Sequence, residues 1–249
     1  VRLRLVTYNI RFGGVGREAA QAETIRGCTA DLVLLQEATR PHVVERLAAD
    51  TGMRAWGALA GHSVGFLSRL EVEHHEWHRP PWSRRSFLEL VPAGLGLRVF
   101  GVHLSAVHSN WTERRRVREL RSVLAGIEKH QHGPHVVAGD FNTLAPGEEL
   151  DVGRLPYRLR AILWMTGRRI RWQTIQIMLD AHYVDAYRTL HPGEPGYTFP
   201  NWDPHVRLDY IFLPGPALGG LQACDVVRGV DAAPAASDHL PLLAEFDVA

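Results

Sequence analysis

Residues 135–142 read His135-Val136-Val137-Ala138-Gly139-Asp140-Phe141-Asn142, an apolar run that ends on a carboxylate and a carboxamide. The run predicts a strand over His135–Gly139. A buried strand rejects unpaired charge, so a carboxylate at its end has a partner or a task. The same arrangement recurs along the chain. Asn9 follows Leu5-Val6-Thr7-Tyr8, Glu37 follows Leu32-Val33-Leu34-Leu35-Gln36, and His103 follows Val99-Phe100-Gly101-Val102. Asp209 sits inside Arg207-Leu208-Asp209-Tyr210-Ile211-Phe212, and Asp238-His239 closely precedes the apolar C-terminal run. A lone Asp in such a place is usually a turn residue or a cap. Eight polar residues in or beside six candidate strands resist that reading, because strand ends in layered α/β proteins commonly converge on one crevice.

Working outward, the other candidate strands are Leu3–Ile10, Asp31–Gln36, Val64–Ser68, Phe87–Val91, Leu97–Leu104, Leu208–Leu213 and Leu242–Val248. Near-continuous runs such as Leu32–Leu35 and Val99–Val102 suggest strands buried on both faces. Two helices read well. Pro41–Ala49 carries Val43, Val44 and Leu47 at helical spacing, and Thr112–Lys129 carries Val117, Leu120, Leu124 and Ile127, with Asn110 or Thr112 as its cap. Arg114, Arg115, Arg116, Arg118 and Arg121 mostly fall off that stripe. They predict a solvated face, with a phosphate-facing patch as the sharper alternative. No linker or repeat divides the chain, so one domain over 1–249 is expected, with a basic amphipathic insertion at about 150–178 that is helical and broken near Gly167.

Hydrophobic residues make up 45% of the 249, enough for a sizeable core, and the formal net charge is only +1. Attraction to phosphate must therefore come from local arrangement. Cys28 and Cys224 form neither a metal-ligand spacing nor a disulfide framework, which favours a reducing compartment. A run of about 18 apolar residues, as a membrane span needs, does not occur. Val1 in place of a methionine leaves room for an upstream signal or anchor. Carboxylates with carboxamides suit a hard, oxygen-preferring cation such as Mg²⁺. Only two cysteines, in no ligand spacing, argue against structural zinc. His74, His75 and His78 read as a surface strand or loop.

Seven motifs in this order resemble those of the endonuclease/exonuclease/phosphatase superfamily, the group that includes deoxyribonuclease I. They are Thr7-Tyr8-Asn9-Ile10, Leu35-Gln36-Glu37, Gly65-Phe66-Leu67-Ser68-Arg69, Val102-His103-Leu104, Gly139-Asp140-Phe141-Asn142, Arg207-Leu208-Asp209-Tyr210-Ile211 and Ser237-Asp238-His239-Leu240-Pro241. The resemblance implies a four-layer α/β/β/α sandwich of two mixed sheets between helices, and a phosphoesterase using Mg²⁺, with Mn²⁺ able to substitute. On the same grounds Glu37 would be the principal metal carboxylate, with Asn9 nearby and Asp238 helping directly or through water. Asp140 would orient and deprotonate the attacking water, and Asn142 would bond a phosphate oxygen or that water. His239 would donate to the phosphate, with Asp209 fixing and charging its ring. His103 would help at the leaving-group side or bind phosphate. The exonuclease III-like abasic-site endonucleases usually carry tyrosine at that place. His103 is thus more similar to deoxyribonuclease I, sphingomyelinases, inositol polyphosphate 5-phosphatases and deadenylases.

Specificity falls to the loops. Arg79-Pro80-Pro81-Trp82-Ser83-Arg84-Arg85 and Leu150–Met178 mix arginine with aromatic residues, the composition of a nucleic-acid groove, and the aromatic loop Tyr197–Trp202 lies just before the Asp209 strand. Arg85, Trp202 and Arg207 are the expected substrate contacts, and a monomeric nuclease acting on DNA or RNA is the leading expectation. The same mixture suits an interfacial helix on anionic lipid, so a phospholipase C-like enzyme or an inositol polyphosphate phosphatase is the alternative. A catalytically silent binding protein is the remote one.

Overall fold

The computed structural model describes residues 1–80, 83, 85–106, 110–130, 133–148, 151–154, 157, 160 and 172–248. Its strands are β1 (Arg2–Asn9), β2 (Leu32–Gln36), β3 (Ala55–Gly57), β4 (Val64–Ser68), β5 (Val72–His78), β6 (Phe87–Pro92), β7 (Arg98–His103), β8 (His135–Asp140), β9 (Tyr183–Asp185), β10 (Asp209–Pro214), β11 (Leu221–Val226) and β12 (Leu242–Asp247). They form two six-stranded sheets, ordered β11-β12-β1-β2-β4-β3 and β5-β6-β7-β8-β10-β9. Both sheets are mixed: β1 runs parallel to β2 and β7 parallel to β8.

Side-chain alternation builds the layers. From β1, Leu3 and Leu5 enter the core between the sheets, while Val6 and Tyr8 pack outward. From β8, Val136 and Ala138 face inward and Val137 outward; from β10, Ile211 and Leu213 face inward, Tyr210 and Phe212 outward. Helices α1 (Glu18–Cys28) and α2 (Pro41–Thr51) cover the first sheet through Ile25, Val43, Val44 and Leu47. Helices α3 (Asn110–His130) and α4 (Gln173–Asp180) cover the second through Leu120, Ile127, Ile175 and Met178. The central strands of each sheet are buried on both faces, which is why they read as near-continuous apolar runs.

The expected strands all form, with no end moved by more than one residue, and the expected sandwich is the observed one. Strands β3, β9 and β11 were not expected; two have three residues each, and β11 is half exposed. Helix α1 was also unforeseen, because Ala22, Ile25 and Cys28 give it a thin apolar stripe. Helix α3 already opens at Asn110, so Thr112 lies inside it. Arg116 corrects the solvated-face reading: it is buried on Glu113, 2.7 Å away, and donates to the Ser105 carbonyl at 2.9 Å. His74, His75 and His78 lie on β5, and both cysteines are free and buried. The expected break near Gly167 lies outside the described residues, and of the 150–178 segment Gln173–Met178 belongs to α4. Among the described residues no helix is long and apolar enough to cross a membrane.

Candidate active site

Alternation also aims the polar strand ends. Asn9 continues the inward register of Leu3 and Leu5, Asp140 that of Val136 and Ala138, and Asp209 that of Ile211 and Leu213. His103 continues the register of Val99. Across the second sheet His103 pairs with Asp140 on one side, and Asp209 pairs with Asp140 on the other. Four buried polar side chains therefore meet at one end of the layer between the sheets. The amide of Asn9 bridges the two sheets, its Nδ2 donating to Asp140 Oδ2 at 3.1 Å. Gly139 permits the close approach of β8 to β7: its φ is 152°, and a Cβ there would lie 2.0 Å from the Val102 carbonyl oxygen.

Asp140 is the centre of this group. Burial, and next the neighbouring Asp209 carboxylate, raise its pKa to about 7, while His239, Asn9 and the Asn142 N–H pull it down. Asn142 takes a left-handed φ of 52°, which turns its backbone N–H onto Asp140 Oδ1 at 2.8 Å. One amide hydrogen of Asn142 goes to the Leu104 carbonyl at 3.1 Å. His239 presents Nδ1 to Asp209 Oδ2 at 2.9 Å and packs tilted against the Phe199 ring, 5.0 Å between centroids. Burial opposes charge on this imidazole, yet the charge and hydrogen bond of Asp209, with Asp140 and Asp238, carry its pKa up to about 9. Donor atoms of Asp140, Asp209 and His239 lie within 4.8 Å of one another. With the ring held charged, this trio handles protons and phosphate better than it holds a cation. Asp209 Oδ1 finds no hydrogen-bond partner among the described residues. His103 accepts at Nδ1 from Arg85 Nη1, 3.1 Å away. Burial, Arg85 and His239 together hold its pKa well below the ordinary imidazole value.

Glu37, Asn9 and Asp238 come together around the turn that follows β1. The Arg11 N–H donates to Asn9 Oδ1 at 2.9 Å, the Phe12 N–H donates to Glu37 Oε2, and Arg11 Nε lies 3.2 Å from Asp238 Oδ2. Arg11, Phe12 and Glu37 all adopt left-handed backbone, with φ of 55°, 49° and 58°. Ser237 closes the group, its Oγ donating to the Asn9 carbonyl at 2.5 Å and accepting from the His239 N–H at 3.2 Å. Two carboxylates and a carboxamide thus face one turn, each with an oxygen turned to a backbone N–H or to the Arg11 guanidinium.

The expected substrate contacts divide three ways. Arg85 adjoins the site through His103. Trp202 is 66% exposed, and the neighbouring Asn201 N–H donates to the Asp238 carbonyl at 2.7 Å, so its loop runs beside the site. Arg207 is a correction: it is buried, paired to Asp185 at 2.5 Å and Glu148 at 2.6 Å, with its guanidinium 4.4 Å over the Tyr210 ring. Its charge is satisfied inside the protein. Glu148 also accepts from the Ala145 N–H at 3.0 Å, and Tyr210 donates to the Thr143 carbonyl at 2.9 Å, so this network pins the loop after Asn142 to β10. Arg11 and Phe12 were missed, while Ser237 and Phe199 were named only within a motif and a loop and given no role. Arg11 adjoins the motif residue Ile10, and that adjacency was the available signal.

The sequence profile of the Endonuclease/Exonuclease/phosphatase family matches residues 6–239. No curated protein matches the chain. Among solved structures, an AP endonuclease from Archaeoglobus fulgidus is similar at 19% identity, with 99% of this chain and 100% of that one covered and a TM-score of 0.76. The 3′ phosphatase NExo from Neisseria, bound to product DNA hairpin, is similar at 20% identity over 98% and 99% of the two chains, TM-score 0.73. An endonuclease/exonuclease/phosphatase from Beutenbergia cavernae shares 26% identity over 99% of this chain and 72% of that one, TM-score 0.70. The chain belongs to the endonuclease/exonuclease/phosphatase family, whose members are metal-dependent phosphoester hydrolases.

Proposed function

We propose that this protein hydrolyses a phosphodiester of DNA or RNA with the help of Mg²⁺ held by Glu37, Asn9 and Asp238. The carrying observation is the buried convergence of Asn9, His103, Asp140, Asp209 and His239 at one end of the inter-sheet layer. When bound, the cation supplies positive charge against the phosphate oxygens. Asp140, with a pKa near neutrality, is matched to taking a proton from the attacking water at one of its Oδ atoms. Asn142 keeps a second amide hydrogen for a phosphate oxygen. His239 aims a charged Nε2–H at the developing negative charge, and Asp209 holds the ring by Nδ1.

Nucleic acid is favoured by the setting. Arg85 and the exposed Trp202 offer a guanidinium and a stacking surface beside the scissile-phosphate site, and the similar Neisseria NExo was solved with product DNA. The test is cleavage, with Mg²⁺ and with EDTA, of supercoiled plasmid, single-stranded DNA, RNA, an abasic duplex, sphingomyelin and inositol phosphates. EDTA-sensitive cleavage of a nucleic acid is expected. Turnover confined to lipid or inositol substrates would sink the nuclease reading, and silence across the set would sink the enzyme assignment to these residues.

A further inference from the structure

His103 and His239 both turn Nε2 toward the same atom, Asp140 Oδ2, at 3.7 and 3.9 Å. Their other ring nitrogens meet opposite chemistry. Nδ1 of His239 faces a carboxylate, and Nδ1 of His103 faces a guanidinium. Which nitrogen of a neutral imidazole carries the hydrogen is ordinarily ambiguous. Here the partner decides it. A guanidinium has five N–H donors, no acceptor, and does not lose its proton in proteins. At 3.1 Å from Arg85 Nη1, His103 Nδ1 must therefore offer its lone pair.

We propose that Arg85 is a positioning residue that locks His103 as the neutral Nε2–H tautomer, making His103 a fixed hydrogen-bond donor to the substrate phosphate and not the source of a leaving-group proton. A second proton on the ring would have to sit on Nδ1, facing N–H against N–H⁺ in a buried site. Burial, Arg85 and the charged His239 all act against it. Arg85 is itself held in place, since its backbone N–H donates to Ser83 Oγ at 2.9 Å. Of the two rings, His239 is then the one with a proton to give. The catalytic half of this proposal rests on the phosphoester reading; the tautomer half does not.

The experiment is long-range ¹H–¹⁵N NMR of the full chain with ¹⁵N-labelled histidine, recorded without substrate and with His103 assigned from the His103→Gln variant. Wild type is expected to show an unprotonated Nδ1 and a protonated Nε2 at His103, unchanged from about pH 5 to 8, where free imidazole titrates. Arg85→Lys keeps a donor and should keep that pattern. Arg85→Glu supplies an acceptor and should move the hydrogen to Nδ1, with the backbone amide spectrum reporting the fold. A protonated Nδ1 in wild type overturns the proposal, and so does an unmoved hydrogen in a folded Arg85→Glu. Should Arg85→Glu not fold, the wild-type spectrum decides alone. For the catalytic half, kcat/KM is measured on methyl aryl phosphodiesters of graded leaving-group acidity. His103→Asn, which can donate a hydrogen bond but transfers no proton, should keep the wild-type slope; a steeper slope overturns the donor role. Failure of the phosphoester reading would silence these rates and leave the spectra untouched.

Discussion

His103 reaches Asp140 from the β7 side and His239 from the β10 side, at 3.7 and 3.9 Å from one oxygen. Both rings are buried, and burial alone would keep both neutral. What separates them is one partner each. Asp209 outweighs the burial of His239 and carries it to about 9, whereas Arg85 adds to the burial of His103 and drives it down. Two residues of one type, at equal range from the same carboxylate, are thereby fitted for different work. The lesson is that a histidine in a motif acquires its role from the group behind it, here supplied by another strand or loop.

The strongest way to break the comparison is to remove its centre. Asp140→Asn is expected to lower kcat on the true substrate by about 10³-fold or more, in the upper range for a general base. It should also raise the melting temperature of the EDTA-treated protein at pH 8, since a buried carboxylate beside Asp209 becomes neutral. Loss of activity with gained stability is the signature; wild-type activity would refute the base assignment. Asp209→Asn comes next, with an expected loss of about 10²-fold. The His239 ring should then titrate well below its wild-type position, read by NMR, while the His103 tautomer stays as it was. An unmoved His239 would show that Asp209 does not charge it.

Mg²⁺ offers a smaller, activity-free test. Ligand binding to the folded state at 100 times Kd stabilises by about 2.7 kcal/mol. Thermal unfolding should accordingly shift upward in Mg²⁺ for wild type and not for Glu37→Ala. Equal shifts in both would remove Glu37 from the proposed metal set.

Much of this site was legible in the sequence. Asn9, His103, Asp140 and Asp209 end apolar runs, and each lies an even number of residues from an inward-facing neighbour such as Leu5, Val99, Ala138 or Ile211. Glu37 breaks that parity, because Gln36 takes the inward position after Leu32 and Leu34; only a left-handed backbone and the Phe12 N–H bring it round. Arg207 keeps the parity of Asp209, yet its acidic partners Asp185 and Glu148 stand 22 and 59 residues away, and strand pattern says nothing of such pairings. Arg85 was expected to touch substrate, and its tie to His103 spans two strands whose pairing the sequence alone did not give.

The most gradual expected effect is on stability against pH, and it separates the two rings by sign. The folded pKa of His239 is raised, from 6.5 to about 9. Its contribution is complete below about pH 6.5 and is lost as pH rises through about 9. Asp140, raised from 3.8 to about 7, behaves alike: stability is present below about pH 4 and lost as pH rises through about 7. His103 is lowered, so the unfolded chain gains a proton that the folded ring refuses, and stability falls as pH drops through about 6.5. Each group contributes at most about 1.4 kcal/mol per pH unit within its window. Chemical denaturation of the metal-free protein should therefore show a decline between about pH 6.5 and 9 that His239→Gln flattens. His103→Gln should leave that limb in place and steepen the fall with rising pH on the acid side, because it removes one of the opposing slopes, which His62 and His135 share in sign. If the two variants changed the same limb in the same direction, the opposition between Arg85 and Asp209 would not be what sets the two histidines apart.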